Sequence, residues 1–217
     1  MDFLKVEQPK SFKDHAYDEI KKGIIQHEVA PGSKLNERSL SESLGISRTP
    51  LKLALQQLEL EGWIQSKPRR GIFVHTIQRK EVNDVFQLRK ANEALAIELL
   101  IPLLNDEAIS KIEKIGQQLS ESKQDALKFV NQDSSFHLYL AKLSQNQWLY
   151  NLIRHLNDHI NRYRFAALHA GQSLEKAHDE HSSIIAGLKA RDTAATKQAI
   201  LSHIDNIYYT IVDNLQE

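Results

Sequence analysis

The sequence predicts a mainly α-helical protein, with an N-terminal winged helix-turn-helix over residues 1–77 and an all-α antiparallel helical bundle over 78–217. Three observations predict it. Residues 31–75 hold two short helical repeats split by a glycine, then two brief strand-like runs around a basic turn. Strand signals vanish after about Arg79. Six stretches with apolar residues at helical spacing then follow, joined by short polar connections.

The elements follow in order. Residues 1–11 read as a flexible lead-in. Phe12, Ala16, Ile20 and Ile24 recur every fourth position and predict a helix over 12–28. Pro31-Gly32 is a turn. Asn36 can cap a short helix through Leu44, because its side chain accepts from the first free N–H groups. Gly45 suits the helix end, where glycine takes φ > 0 without steric cost. Ser47 then caps a second helix to about Glu61, with Leu51, Leu55 and Leu58 on one face and Pro50 in its first turn. Gly62 closes it. Trp63–Gln65 and Ile72–Val74 read as strands joined by Lys67-Pro68-Arg69-Arg70-Gly71, and 76–78 as a linker. The bundle helices are predicted over 79–101, 106–121, 124–144, 147–169, 174–190 and 193–215. Asp106, Ser173 and Asp192 stand at cap positions, and Gly171 suits a helix end.

Composition narrows the function classes. The 217 residues are 41% hydrophobic and 26% charged, as in ordinary globular proteins. No apolar run reaches membrane-spanning length and no signal-peptide pattern opens the chain, so no membrane partner is expected. Zero cysteines exclude disulfides and thiol catalysis and fit a reducing, cytoplasmic setting. Net charge is zero, but residues 34–75 hold 7 Lys/Arg against 4 Asp/Glu. That bias is mild, and a dimer would double it.

The helix starting at Ser47 is expected to enter a major groove by its N-terminal turns. Arg48 is the candidate for a guanine, since guanidinium can donate to O6 and N7 together. Thr49 can touch a base edge or a phosphate. Arg38, Ser39 and Lys52 are expected to position the phosphate backbone. Arg69 and Arg70, on the wing, are phosphate or minor-groove candidates.

The bundle shows a second pattern. Phe129, Asp133, Phe136, His137 and Leu140 share one helix face, as do Leu174, Ala177, His181, Ile184 and Leu188, and Ile200, His203, Ile207 and Ile211. Three helices thus turn an imidazole or carboxylate inward, and burying such groups without partners is costly. A divalent metal shared by Asp133, His137, His181 and His203 would satisfy them. One carboxylate and three imidazoles suit zinc or nickel better than calcium or magnesium. The competing reading is a hydrogen-bonded core histidine. His155 and His159 are also four apart, and His178 lies one turn from His181. Among arginines, Arg89 can clamp an anion or simply pair with Glu93. Arg162 and Arg164 point apart, so at most one faces the pocket, and Arg162 is preferred. Asn92 is a further pocket candidate.

The chain resembles GntR-family bacterial transcription regulators, in the FadR-like branch with the all-helical FCD effector domain. PGSKLNERSLSESLGISRTPLKLALQQLELEGWI carries the N-terminal likeness. LRKANEALAIEL, DSSFHLYLAKLSQN, EKAHDEHSSIIAGLKARD and a late His203 carry the C-terminal one. The resemblance implies that Arg38, Arg48 and Lys52 face DNA. The family usually has arginine at Lys52 and commonly glutamate at Leu53. Lysine keeps the charge but not the bidentate fork, so phosphate contact is what carries over. It also implies that Asp133, His137, His181 and His203 fall on the metal-ligand positions of the metal-binding FCD subgroup, and that the effector is a small carboxylate.

The resulting expectation is a homodimeric, non-enzymatic regulator, in repressor mode, on a palindromic double-stranded operator. A small organic acid would control it through a metal-containing bundle. The rivals are a metal-independent sensor of an acyl-thioester ligand, a metal-dependent hydrolase, and a plain dimerisation module with core histidines.

Overall fold

Ser11 starts the first helix by accepting, through its Oγ, the backbone N–H of Asp14 at 3.2 Å. The computed structural model describes residues 10–122, 125–169 and 178–213, and among these it divides into two compact units between Ile77 and Gln78. The expected lead-in over 1–9, the Ser173 cap, the Gly171 helix end and the Leu174 and Ala177 positions lie outside the described residues.

In the first unit, α1 (Phe12–Ile25) buries Ala16, Ile20 and Ile24, and ends three residues earlier than its periodicity suggests, at Gln26. Helix α2 (Glu37–Leu44) is capped by Asn36, whose Oδ1 accepts from Arg38 N and Ser39 N at 3.0 and 3.2 Å. Gly45 follows at φ 64°, a left-handed position that glycine occupies without penalty. Helix α3 (Arg48–Leu60) buries Leu51, Ala54, Leu55 and Leu58, the stripe its leucines announce. Ser47 occupies the cap position, but its side chain makes no capping bond.

Three strands follow the order β1-β3-β2 (β1 Lys34–Leu35, β2 Ile64–Lys67, β3 Gly71–Val74), all antiparallel. The two-residue β1 has no detectable period and is visible only through its partner, pairing Lys34 with Phe73 and Leu35 with Ile72. Gly71 has φ 106°, a backbone conformation that residues with a Cβ rarely adopt, so glycine suits the entry into β3.

A polar network ties α1 to α3 and β2. Glu61 accepts from Tyr17 Oη at 2.5 Å, Gln57 Nε2 at 3.1 Å and Trp63 Nε1 at 3.1 Å. Lys21 donates to Tyr17 and sits 5.0 Å from the Trp63 ring centre. Burial alone would raise the Glu61 pKa, but the donors and the Lys21 charge outweigh it and hold the carboxyl below its ordinary 4.5. Burial and the Glu61 carboxylate push the Tyr17 phenol up to about 12. Glu61→Ala strands three donors and is expected to cost about 1–3 kcal/mol in urea unfolding. Because the folded pKa is depressed, this contribution is present above pH 4.5 and fades as pH falls through the folded value. A urea midpoint of the variant equal to wild type at pH 7 would refute the assignment.

In the second unit, α4 (Arg79–Leu100) runs into a 3-10 turn at Ile101–Leu103 that contains Pro102. Then come α5 (Asp106–Glu121), α6 (Ala126–Leu143), α7 (Gln147–His169), α8 (His178–Lys189) and α9 (Thr193–Val212). The α5 cap is Asn105, whose Oδ1 accepts from Ala108 N at 2.8 Å, rather than Asp106, which falls inside the first turn. There Asp106 still favours the helix dipole. Asp125 and Asp192 cap α6 and α9. Helix α4 packs on α6, α7 and α9, while α5 and α8 close the far side against α6 and α9. No described helix is long and apolar enough to cross a membrane.

Candidate DNA-reading face and metal centre

The first unit exposes every residue expected to meet DNA: Arg38, Ser39, Ser47, Arg48, Thr49, Lys52, Arg69 and Arg70. Thr49 and Lys52 lie on the side of α3 away from its buried stripe, and Arg48 is exposed as the first residue of the helix. Arg38 pairs with Glu42 at 2.9 Å, a weak surface pair that an approaching phosphate can replace. At the hairpin tip, Arg70 N donates to Lys67 O at 3.0 Å, with Pro68 and Arg69 between. Arg69 sits at φ 62° as the third residue of that turn, which holds both arginines at the apex.

In the second unit, Asp133 and His137 come from α6, His181 from α8 and His203 from α9. All four are buried, and one ligand atom from each lies within 4.8 Å of the others. Asp133 Oδ1 is 3.0 Å from His181 Nε2 and 3.4 Å from His203 Nε2. His137 Nε2 is 3.8 Å from Asp133 Oδ2 and 3.2 Å from His203 Nε2. Phe136 packs edge-on against both His137 and His181, and Phe129 against His181, which fixes the ring planes.

Two further carboxylates set the imidazole tautomers. His137 Nδ1 donates to Glu93 Oε2 on α4. His203 Nδ1 donates to Glu180 Oε2 on α8 at 2.7 Å. An ionised carboxylate only accepts, so both Nδ1 atoms carry hydrogen. With both rings neutral, the two Nε2 lone pairs face each other across 3.2 Å; Asp133 and Glu180 raise the His203 pKa against burial, so either a proton on His203 or a shared cation relieves the arrangement. The donor set therefore fits a divalent metal. Burial outweighs the Glu93 and Asp133 carboxylates and lowers the His137 pKa to about 4, so this ring is neutral, as a ligand must be. Burial would raise Asp133, yet the Arg164 guanidinium, joined in acid by His137 once that ring protonates, holds it well below the carboxylate range. Glu93 is likewise held near 2, against burial, by His137 and Arg89.

The arginines answer the open alternatives. Arg89 Nε donates to Glu93 Oε1 at 2.6 Å, so the ion pair forms. Its Nη1 and Nη2 are nonetheless buried with no hydrogen-bond partner among the described residues. Arg164, not Arg162, reaches the metal candidates: its Nη1 donates to Asp133 Oδ2, while Nε and Nη2 stay unpartnered among the described residues. Two positions on a helix differ by about 200° of rotation, and Arg162 is accordingly buried in the field of Glu81. Asn92 also departs from expectation. Its Nδ2 donates to Leu88 O of its own helix at 2.7 Å. His155 and His159 meet edge-on, His159 lies 4.0 Å from Glu81, neither belongs to the four-residue cluster, and the side chain of His178 lies outside the described residues.

Sequence reasoning preferred Arg162 to Arg164 and missed Glu180 and the bond from Glu93 to His137. Arg164 had a signal: it continues the buried row Ile153, Asn157 and Ile160 at heptad spacing. The two carboxylate contacts span 44 and 23 residues and left none.

A winged helix-turn-helix joined to a helical unit with a buried ligand cluster defines a ligand-responsive transcription regulator. Residues 12–74 match the profile "Bacterial regulatory proteins, gntR family" and residues 84–206 match the FCD domain. The chain belongs to the GntR family of bacterial regulatory proteins, in its FCD-containing branch. It is 29% identical to the HTH-type transcriptional regulator YdhC of Bacillus subtilis (strain 168), over 95% of this chain and 93% of that one. It is 28% identical to the Nta operon transcriptional regulator of Aminobacter aminovorans, over 87% of this chain and 89% of that one. Among solved structures, a GntR-type regulator from Rhodococcus sp. RHA1 shares the fold with TM-score 0.82, 19% identity and coverage of 95% and 100%. Escherichia coli McbR/YncC does so at TM-score 0.79, 19% identity and coverage of 91% and 95%. The protein is a transcription regulator rather than an enzyme.

Proposed function

We propose that the protein is a cytoplasmic, homodimeric repressor that binds a palindromic operator and is controlled by a small organic acid at a metal held by Asp133, His137, His181 and His203. Residues 1–77 form the DNA-binding domain and 78–217 the effector-binding and dimerisation domain. The observation that carries the sensing half is the convergence of three imidazoles on one buried carboxylate, with two Nδ1 atoms tied to Glu93 and Glu180. Zinc or nickel suits this nitrogen-rich set. When bound, the metal supplies an electrophilic centre for a carboxylate oxygen.

The unpartnered N–H groups of Arg89 and Arg164 support the acid. Burial and the Arg89 charge lower the Arg164 pKa, against the Asp133 carboxylate, so an anion between the two guanidiniums relieves both repulsion and missing hydrogen bonds. Arg89, Glu93 and His137 form one chain of contacts from the cluster to α4, the helix that follows the DNA-binding domain in sequence. An acid that prefers one arrangement of this chain shifts the population of DNA-competent dimers. The buried carboxylates, imidazoles and guanidiniums make this centre polar, which favours a small acid over an acyl-thioester tail.

Protein purified without an affinity tag should contain about one transition metal per chain. Calorimetry with a panel of short carboxylates should show binding with metal and none after chelation. Acid binding unchanged by chelation would overturn the reading. For the DNA half, Arg48→Ala should lose about 1–3 kcal/mol of discrimination per half-site, seen as loss of preference for selected over random duplex in a shift assay. Retained preference would remove Arg48 from the base-reading set.

A further inference from the structure

Helix α3 carries one apolar side chain that its own fold does not use. Leu51, Ala54, Leu55 and Leu58 form its buried stripe. At 100° per residue, Thr49, Lys52, Leu53 and Gln56 occupy the arc away from that stripe, and all four are exposed. Three of them are polar or charged. Leu53 is the exception, at 48% exposure, and it is absent from the hydrophobic core of the unit.

A lone exposed leucine is ordinary on a protein surface. Its position is what gives this one a partner. Leu53 follows Thr49 by four residues and adjoins Lys52, in the first two turns of α3. Those turns present side chains to base edges when such a helix enters the major groove. Four-base chemistry offers one apolar feature there, the 5-methyl group of thymine. Leu60 shares the same arc at 89% exposure, but it ends the helix and lies two turns further along.

We propose that Leu53 is a specificity-determining residue that packs on the 5-methyl group of one thymine in each operator half-site. The inference rests on α3 being the groove helix, as proposed above. It predicts a thymine requirement that no hydrogen-bonding residue explains.

The test uses full-length protein and duplexes selected by it from a random pool. Each thymine of the selected sequence is replaced by deoxyuridine, which removes only the methyl group. One thymine per half-site should then bind about fourfold more weakly, the effect of one buried methyl-sized group. Leu53→Ala should fold with an unchanged melting temperature, keep the other base preferences, and show less than about a twofold difference at that thymine. A flat uracil scan in the wild type, or unchanged methyl sensitivity in Leu53→Ala, overturns the proposal. If selectivity depends on Arg48 while the scan is flat, only the Leu53 assignment fails. If the protein selects no sequence, both readings fail together.

Discussion

Replacing Asp133 by alanine is expected to remove about 3–5 kcal/mol of stability even with no metal present. Asp133 is fully buried, and its partner Arg164 is 1% exposed. The pair was desolvated on folding, so deleting the carboxylate leaves a guanidinium with no counter-charge and no bulk water. Arg164 already holds two unpartnered nitrogens among the described residues, so it has no spare acceptor to turn to. His181 and His203 lose in the same step the carboxylate oxygen that their Nε2 atoms face at 3.0 and 3.4 Å. The measurement is chemical unfolding in the presence of a chelator, following a probe in the helical unit. The double variant Asp133→Ala/Arg164→Met should recover part of the loss, because removing both charges is milder than stranding one. A single-variant loss below about 1 kcal/mol would show that Arg164 finds another partner, and that the pair does not hold α6 to α7.

What the sequence made legible follows from distance along the chain. The α2 cap at Asn36, the leucine stripe of α3 and the start of α9 at Asp192 are local chemistry, and each appears where the residues place it. Asn105 and Asp106 are both good cap residues, and only backbone geometry decides between them. Strand β1 depends wholly on β3, so two residues carry no period of their own. The metal candidates were visible because each interrupts an apolar row on its own helix. Their outer partners were not. Glu93 reads locally as the mate of Arg89, and nothing nearby reveals that its other oxygen crosses to His137 on α6. Arg162 and Arg164 are equally charged and both buried, so composition cannot choose the one that meets Asp133.

Addition of zinc or nickel to metal-free protein is expected to raise the melting temperature of the helical unit by about 5–11 °C at a hundredfold excess over the dissociation constant. By linkage, that excess stabilises the binding-competent fold by about 2.7 kcal/mol, and each kcal/mol moves a chain of this size by about 2–4 °C. The stabilised state needs the ligand atoms already close, and all four candidates lie within 4.8 Å of one another without the ion. It also needs the Nε2 atoms of His137 and His203 unprotonated: the Glu93 and Glu180 carboxylates take the Nδ1 hydrogens and leave Nε2 as the ligand atom, while at His203, where Asp133 and Glu180 raise the pKa against burial, the metal competes with a proton. His203→Ala should abolish the shift while sparing the Asp133–Arg164 pair. Glu93→Gln should keep the site but weaken affinity about 10–100-fold, since the amide still accepts from His137 Nδ1 yet no longer polarises the ring. A shift of the same size in His203→Ala would place the ion elsewhere. No shift with either metal would leave the three imidazoles as a hydrogen-bonded core cluster, and the acid would have to be recognised by Arg89 and Arg164 alone.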